Sequence, residues 1–146
     1  MAQWTAADYQ TLIREPGGLI LVADYRGAGA PRALIAGFAA ARSIGAEAEL
    51  QNLAVRPECR GHGVARTLIE ALHRRLAAAG ADRVCLEVRV SNLAARRLYS
   101  SLGYAECGLR RSYYAADGED ALVLELRLER GTARPDDSGR EERRIV

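Results

Sequence analysis

Arg60-Gly61-His62-Gly63-Val64-Ala65 places two glycines at the mouth of a long stretch with helical apolar spacing. Glycine lets backbone approach a ligand closely, and unpaired amides at a helix start attract anions. The segment therefore reads as a phosphate cradle or, without a ligand, as a tight loop shaped by glycine. No Gly-Lys-Ser/Thr follows it, and no acidic ribose reader is placed as a dinucleotide fold wants, so neither of those nucleotide folds fits. Further on, Val84, Leu86 and Val88 alternate with Cys85, Glu87 and Arg89, the period of a strand that sends Glu87 away from its aliphatic neighbours. A carboxylate there is a general base if it meets a ligand, and otherwise is solvated or paired, with Arg89 as its nearest partner in sequence. Asn92 and Tyr99 stand about two helical turns apart and so project in nearly one direction. Tyr99 is then a proton donor at a site, or a core-edge tyrosine with a backbone partner. Cys85 shares the Glu87 face, where a buried inert thiol is the simpler reading than a nucleophile. His62 and His73 fit no metal-ligand spacing, so no metal is expected.

These residues need elements to hold them. Thr5 to Glu15 reads as an N-capped helix stopped by Pro16-Gly17-Gly18, followed by a strand over Leu19 to Tyr25. After a break at Arg26 to Pro31, Arg32 to Ala41 and Glu49 to Val55 are strands, the first of them closing a hairpin. Val64, Leu68, Leu72 and Leu76 mark one face of a helix that ends at Gly80. Ser91 is the expected cap of a second helix running to Leu102, with Ala94, Ala95, Leu98 and Leu102 as its buried stripe. Tyr104 to Tyr114 and Ala121 to Glu129 form a closing hairpin around Asp117-Gly118. The order helix, three strands, helix, strand, helix, two strands predicts an α+β fold with a mixed sheet. Residues 1–130 make one domain, and Gly131 to Val146, polar and without periodicity, reads as a disordered tail.

Composition bounds the function from outside. A chain of 146 residues with 49% hydrophobic and 27% charged residues suits one globular domain. Twenty-one basic against nineteen acidic residues leave +2, too balanced for a phosphate-tracking surface, so nucleic acid is not an expected partner. Every basic residue is Arg, which together with the abundance of Ala and Gly looks like GC-rich coding. Cys59, Cys85 and Cys107 form no Cys-x-x-Cys pair and follow no secretory leader, which suits a reduced cytoplasm. The apolar runs Leu19 to Ala23 and Ala33 to Ala41 are far shorter than the roughly 20 residues a membrane span needs.

The loop Arg60 to Ala65 resembles the Gln/Arg-x-x-Gly-x-Gly/Ala pattern of the GNAT superfamily of N-acetyltransferases, and the likeness extends over Glu49 to Val55, Leu86 to Asn92 and Leu98 to Tyr104. Arg110-Arg111-Ser112-Tyr113-Tyr114 with Asp117-Gly118-Glu119-Asp120-Ala121 is similar, more narrowly, to the bacterial ribosomal-protein-alanine N-acetyltransferases of the RimI type. The likeness runs from about Glu49 to Leu128. It implies a mostly antiparallel sheet flanked by helices, lacking the family's first strand and helix, which precede the helix matching Trp4 to Glu15.

The resemblance also implies a site. Acetyl-CoA would be held by the strand backbone of Leu53, Ala54 and Val55, by the loop of Arg60, Gly61, His62, Gly63, Val64, Ala65 and Arg66, and by Asn92 and Tyr99. Glu87 would be the general base, through water, and Tyr99 the acid that protonates the departing thiolate. An α-amine with a reference pKa of about 8 is easier to deprotonate than a lysine near about 10.4, which favours a protein N-terminus as acceptor. A small-molecule amine is the next acceptor, and a catalytically silent acyl-CoA-binding module is the alternative of another class. Tyr113-Tyr114 either packs the hairpin or shapes the acceptor groove, and Asp117, Glu119 and Asp120 either attract a basic N-terminal peptide or are merely solvated. A monomer or homodimer is expected.

Overall fold

The computed structural model describes residues 4–25 and 32–129. The Arg26 to Pro31 break and the expected tail lie outside the described residues. Along the chain come α1 (Ala6–Arg14), β1 (Gly18–Tyr25), β2 (Leu34–Ile44), β3 (Glu47–Val55), a 3-10 turn (Pro57–Cys59), α2 (Val64–Ala78), β4 (Arg83–Arg89), α3 (Leu93–Ser101), β5 (Ala105–Tyr114) and β6 (Glu119–Arg127). The strands form one sheet in the order β1-β2-β3-β4-β6-β5, antiparallel at every pairing except β3 with β4. This is the α+β, mostly antiparallel architecture expected from the order of elements.

Local chemistry sets several boundaries. Thr5 caps α1 through a capping box in which Asp8 accepts from the Thr5 amide at 2.6 Å and returns its own amide to the Thr5 hydroxyl. β2 runs past its expected end at Ala41 to Ile44, because Arg42, Ser43 and Ile44 continue the ladder against Glu49, Ala48 and Glu47. The polar Arg42-Ser43 hides this from an apolar-pattern reading. Gly45, at φ 61°, makes the tight turn into β3 that such continued pairing requires.

The core lies on one face of the sheet. Leu68, Ile69, Leu72 and Leu76 of α2 are buried against Leu21, Ala39, Ala41, Leu50 and Val84, where the alanines of β2 leave room for the helix. Tyr99, Leu98 and Ala95 of α3 close the same core beside Leu86, Val88, Leu122 and Leu124. The opposite face carries α1, whose Tyr9 ring meets Phe38 edge-on at 5.4 Å and whose hydroxyl accepts from Asn52 at 2.8 Å. By strand alternation Glu49, Cys85, Glu87 and Glu125 look out on that second face.

Candidate active site

β3 and β4 are paired only from Glu47 to Glu49 against Arg83 to Cys85. Beyond that point the two parallel strands part. A bulge helps set what faces the gap: Leu50 opposes Ala41 and Asn52 opposes Ala40, so Gln51 is an extra residue that resets the alternation of β3. Past the bulge, the Arg56 amide donates to the Ala36 carbonyl at 2.7 Å. Alternation then directs the main chain of Ala54 at β2 and turns that of Leu53 and Val55 into the gap. The Val55 carbonyl accepts from Arg60 Nε at 3.2 Å. The Leu53 amide and carbonyl and the Val55 amide remain for an extended ligand that adds there like a strand.

The Gly-rich loop stands at the open end of this gap. Gly61 and Gly63 are both left-handed, at φ 77° and 78°, conformations that cost other residues. Gly63 is the cap of α2 and brings no side chain to it, and the first bond at the helix start is from the Thr67 amide to the Gly63 carbonyl at 3.0 Å. The amides from Gly61 to Arg66 therefore have no partner among the described residues, which is the state in which a helix mouth binds an anion. Side chains brace the loop instead of filling it. The His62 ring donates from Nδ1 to the Arg60 carbonyl at 2.9 Å, and Arg66 reaches Ser101 of α3 at 2.6 Å.

Across the gap, Glu87 sits with its side chain 16% exposed, and its partner is Arg110, whose Nε lies 3.2 Å from Glu87 Oε1. The expected pairing with Arg89 is not made: Arg89 donates to Asp117 at 2.8 Å and Glu119 at 2.9 Å and stacks 3.9 Å over the Tyr114 ring. Strand direction explains the difference, since Glu87 and Arg89 point the same way along β4, and the hairpin of β5 and β6 supplies each with a closer partner. The acidic turn is thereby spent internally. Glu119 also accepts from the Ser91 amide at 2.8 Å and Asp120 from the Ser112 amide at 2.7 Å, so these carboxylates are neither loose nor simply solvated.

Tyr99 is buried, edge-on to Tyr104 with 5.4 Å between the rings, and its hydroxyl has no hydrogen-bond partner among the described residues. Burial pushes its phenol up to about 12, so it keeps its proton at any ordinary pH. Asn92 is the cap of α3, accepting from the Ala95 amide at 3.1 Å, and Ser91 is not. Asn92 thus precedes the helix, with φ -80° and ψ 75°, and the shared-face argument from its spacing to Tyr99 does not carry. Cys85 lies 3.8 Å from Glu125 Oε2, and burial together with that carboxylate raises its thiol, the opposite of what a nucleophile needs.

One participant, Glu49, escaped the reading of single residues, and Tyr113, weighed there as hairpin packing or groove wall, stands beside it. Glu49, across the ladder from Cys85, has its carboxyl raised by burial and by the neighbouring Glu87. Tyr113 approaches the same carboxylates and Arg110, because an irregular pairing between Arg110 and Tyr114 puts Ser112 in the left-handed region at φ 49°. The alternation Glu47-Ala48-Glu49 is the signal of an outward carboxyl there, but nothing local names its neighbour. Among the described residues there is no cluster of three His, Cys, Asp or Glu able to hold a metal, and no helix long and apolar enough to cross a membrane.

A sequence profile of the acetyltransferase (GNAT) family matches residues 1–104. The chain belongs to the GNAT acetyltransferase family. A Bacillus subtilis relative, named as a candidate ribosomal protein bS18-alanine N-acetyltransferase, is 34% identical over 83% of this chain and 77% of its own length. The Escherichia coli ribosomal protein bS18-alanine N-acetyltransferase is 44% identical over 63% of this chain, and the match spans 64% of that relative, a little under two thirds. The crystal structure of the E. coli ribosomal-protein-S18-alanine N-acetyltransferase superposes with a TM-score of 0.73 at 33% identity, covering 86% of this chain and 78% of that one. The structure of the NatC complex bound to Gag peptide and CoA superposes at 0.66 with 28% identity, covering 74% and 70%. The likeness to the GNAT superfamily read from Arg60 to Ala65, and to its RimI type read from Arg110 to Tyr114 with Asp117 to Ala121, is borne out. Acetyl-CoA is the acyl donor of this GNAT acetyltransferase, and the open edge of β3 beside six unpartnered amides suits its amide-bearing arm and diphosphate.

Proposed function

We propose that this GNAT chain acetylates the N-terminal α-amine of a protein, of the ribosomal-protein-alanine type, by direct attack in a ternary complex. The observation that carries the reading is the parting of β3 from β4 beside the amides of Gly61 to Arg66, with Glu87 on the wall of the gap. Leu53 and Val55 line the arm of the donor, with Ala54 between them, and the loop Arg60, Gly61, His62, Gly63, Val64, Ala65 and Arg66 takes the diphosphate. Asn92 and Tyr99 flank the donor from the start and the buried face of α3. The amide of Leu53 is the donor best placed to stabilise the thioester oxyanion. Glu87 removes a proton from the acceptor ammonium through water; the freed lone pair forms the N–C bond, the C–S bond breaks as Tyr99 protonates the departing thiolate, and the second amine proton leaves the nitrogen through water and restores the Tyr99 phenol. The raised thiol of Cys85 favours direct transfer over an acetyl-cysteine intermediate.

The relatives named above act, by their names, on an alanine of ribosomal protein bS18, which supports an N-terminal peptide as acceptor here. We place the enzyme in the cytoplasm as a monomer or homodimer, with residues 1–130 as the catalytic domain and 131–146 dispensable. Thiol release from acetyl-CoA with peptides beginning Ala-Arg tests the reading. Turnover that falls in Glu87→Gln and Tyr99→Phe is the expected result; coenzyme A binding without turnover of any such peptide would overturn it.

A further inference from the structure

Glu49 and Glu87 stand on neighbouring strands and on one face of the sheet: Glu49 opposes Cys85, and Glu87 is the next residue of β4 on that side. They sit where the two strands begin to part, so little main chain screens one carboxyl from the other. The groups around Glu49 are otherwise occupied. Arg42, opposite it on β2, lies 3.3 Å from Glu15 of α1; Gln51 on β3 donates to it; Cys85 on β4 and Glu125 on β6 face each other; and Arg110 and Tyr113 approach from β5. Arg110 is bonded to Glu87, not to Glu49. Two carboxyls side by side near one guanidinium cannot both ionise cheaply. The guanidinium lies on Glu87 Oε1, which leaves Glu49 as the carboxyl to carry a shared proton. Burial, the Glu87 charge and a hydrogen bond between the two carboxyls hold the Glu49 carboxyl above the ordinary range.

We propose that Glu49 is a positioning residue for acetyl transfer: it donates the shared proton to the Glu87 carboxylate, fixes the orientation of that base, and is its route for releasing protons to solvent. Glu49 is the more exposed of the two, so a proton taken from the acceptor ammonium by Glu87 displaces the shared one outward through Glu49 to water. The inference rests on Glu87 being the base, but the carboxyl pair itself does not need turnover to be seen.

Carbon-detected NMR titration of the glutamate carboxyls of the full chain tests the pair. Glu49 titrates above the ordinary carboxylate range in the wild type and returns towards it in Glu87→Gln; an unmoved Glu49 titration in that variant overturns the proposal, whatever the enzyme's activity. The kcat/KM profile against pH with an Ala-Arg peptide tests the role. The wild type shows two ionisations on the acidic side and Glu49→Gln only one, while Glu49→Ala loses about tenfold in kcat, most of which Glu49→Gln recovers, with KM for acetyl-CoA held. Identical profiles for wild type and Glu49→Gln, or equal losses in Glu49→Gln and Glu49→Ala, overturn it. A wild type without turnover but with a Glu49 titration that responds to Glu87→Gln sinks the proposed function and leaves the carboxyl pair standing.

Discussion

Arg110 Nε reaches Glu87 Oε1 at 3.2 Å by spanning β6, the strand that separates β5 from β4. The contact ties the proposed base to the closing hairpin, so the orientation of Glu87 depends on a strand far from it in sequence. Glu87→Gln should lower kcat by about 10² to 10³ with KM for acetyl-CoA little changed, since the donor site does not include that carboxylate. Arg110→Ala should lower kcat several-fold. Its side chain is 57% exposed, so the stability lost is at most about 1 kcal/mol, and steady-state kinetics beside a urea titration separate the two effects.

Tyr99→Phe removes the proposed acid and is expected to lower kcat by about 10- to 100-fold. It should also flatten the alkaline side of the stability curve. The folded phenol lies at about 12 against an ordinary value of 10.0, so its contribution is complete below pH 10 and is lost as pH rises through the folded value. Two such units are worth about 3 kcal/mol. Tyr104, raised by burial as well, keeps part of the dependence in the variant. Urea midpoints at pH 9 and pH 11 measure it; an equal fall in wild type and Tyr99→Phe would refute the assignment.

Gly63→Ala forces a side chain onto φ 78°, at a strain of about 1 to 2 kcal/mol, yet the added Cβ meets no protein atom within 4 Å. Gly45→Ala imposes a comparable strain at φ 61°, also in open space, but at the β2–β3 turn. Both should lose similar stability, while only Gly63→Ala weakens coenzyme A binding, by tenfold or more in calorimetry. Equal affinities would show that the loop does not cradle the diphosphate.

Arg89 holds the β5–β6 hairpin through Asp117, Glu119 and the face of the buried Tyr114. Arg89→Ala should loosen the hairpin and let its amides exchange faster with solvent. Because Tyr113 and Arg110 ride on that hairpin, KM for the peptide should rise more than KM for acetyl-CoA. Hydrogen exchange and two-substrate kinetics check both halves.

The number and kind of elements were legible in the chain because helical and strand periods are properties of neighbouring residues. Leu68, Leu72 and Leu76 mark α2, and Val84, Leu86 and Val88 mark β4, whatever packs on them. The glycine loop ahead of α2 was legible for the same reason, as Gly61 and Gly63 act through their own backbone angles. Partnerships were not. Sequence alone paired Glu87 with Arg89, capped α3 with Ser91 and left the acidic turn unassigned, whereas the fold binds Glu87 to Arg110, caps with Asn92 and spends Asp117 and Glu119 on Arg89.

What sequence determined by itself is therefore the kit: a helix mouth with free amides, an outward carboxyl on a core strand and a tyrosine at the edge of a helix's apolar stripe. The tertiary structure alone decided how far β3 and β4 stay together, where Gln51 shifts the alternation, and that Glu49 meets Glu87. Those depend on register across ladders, and register is settled by the summed packing of residues distant in the chain, so no window of local sequence contains it.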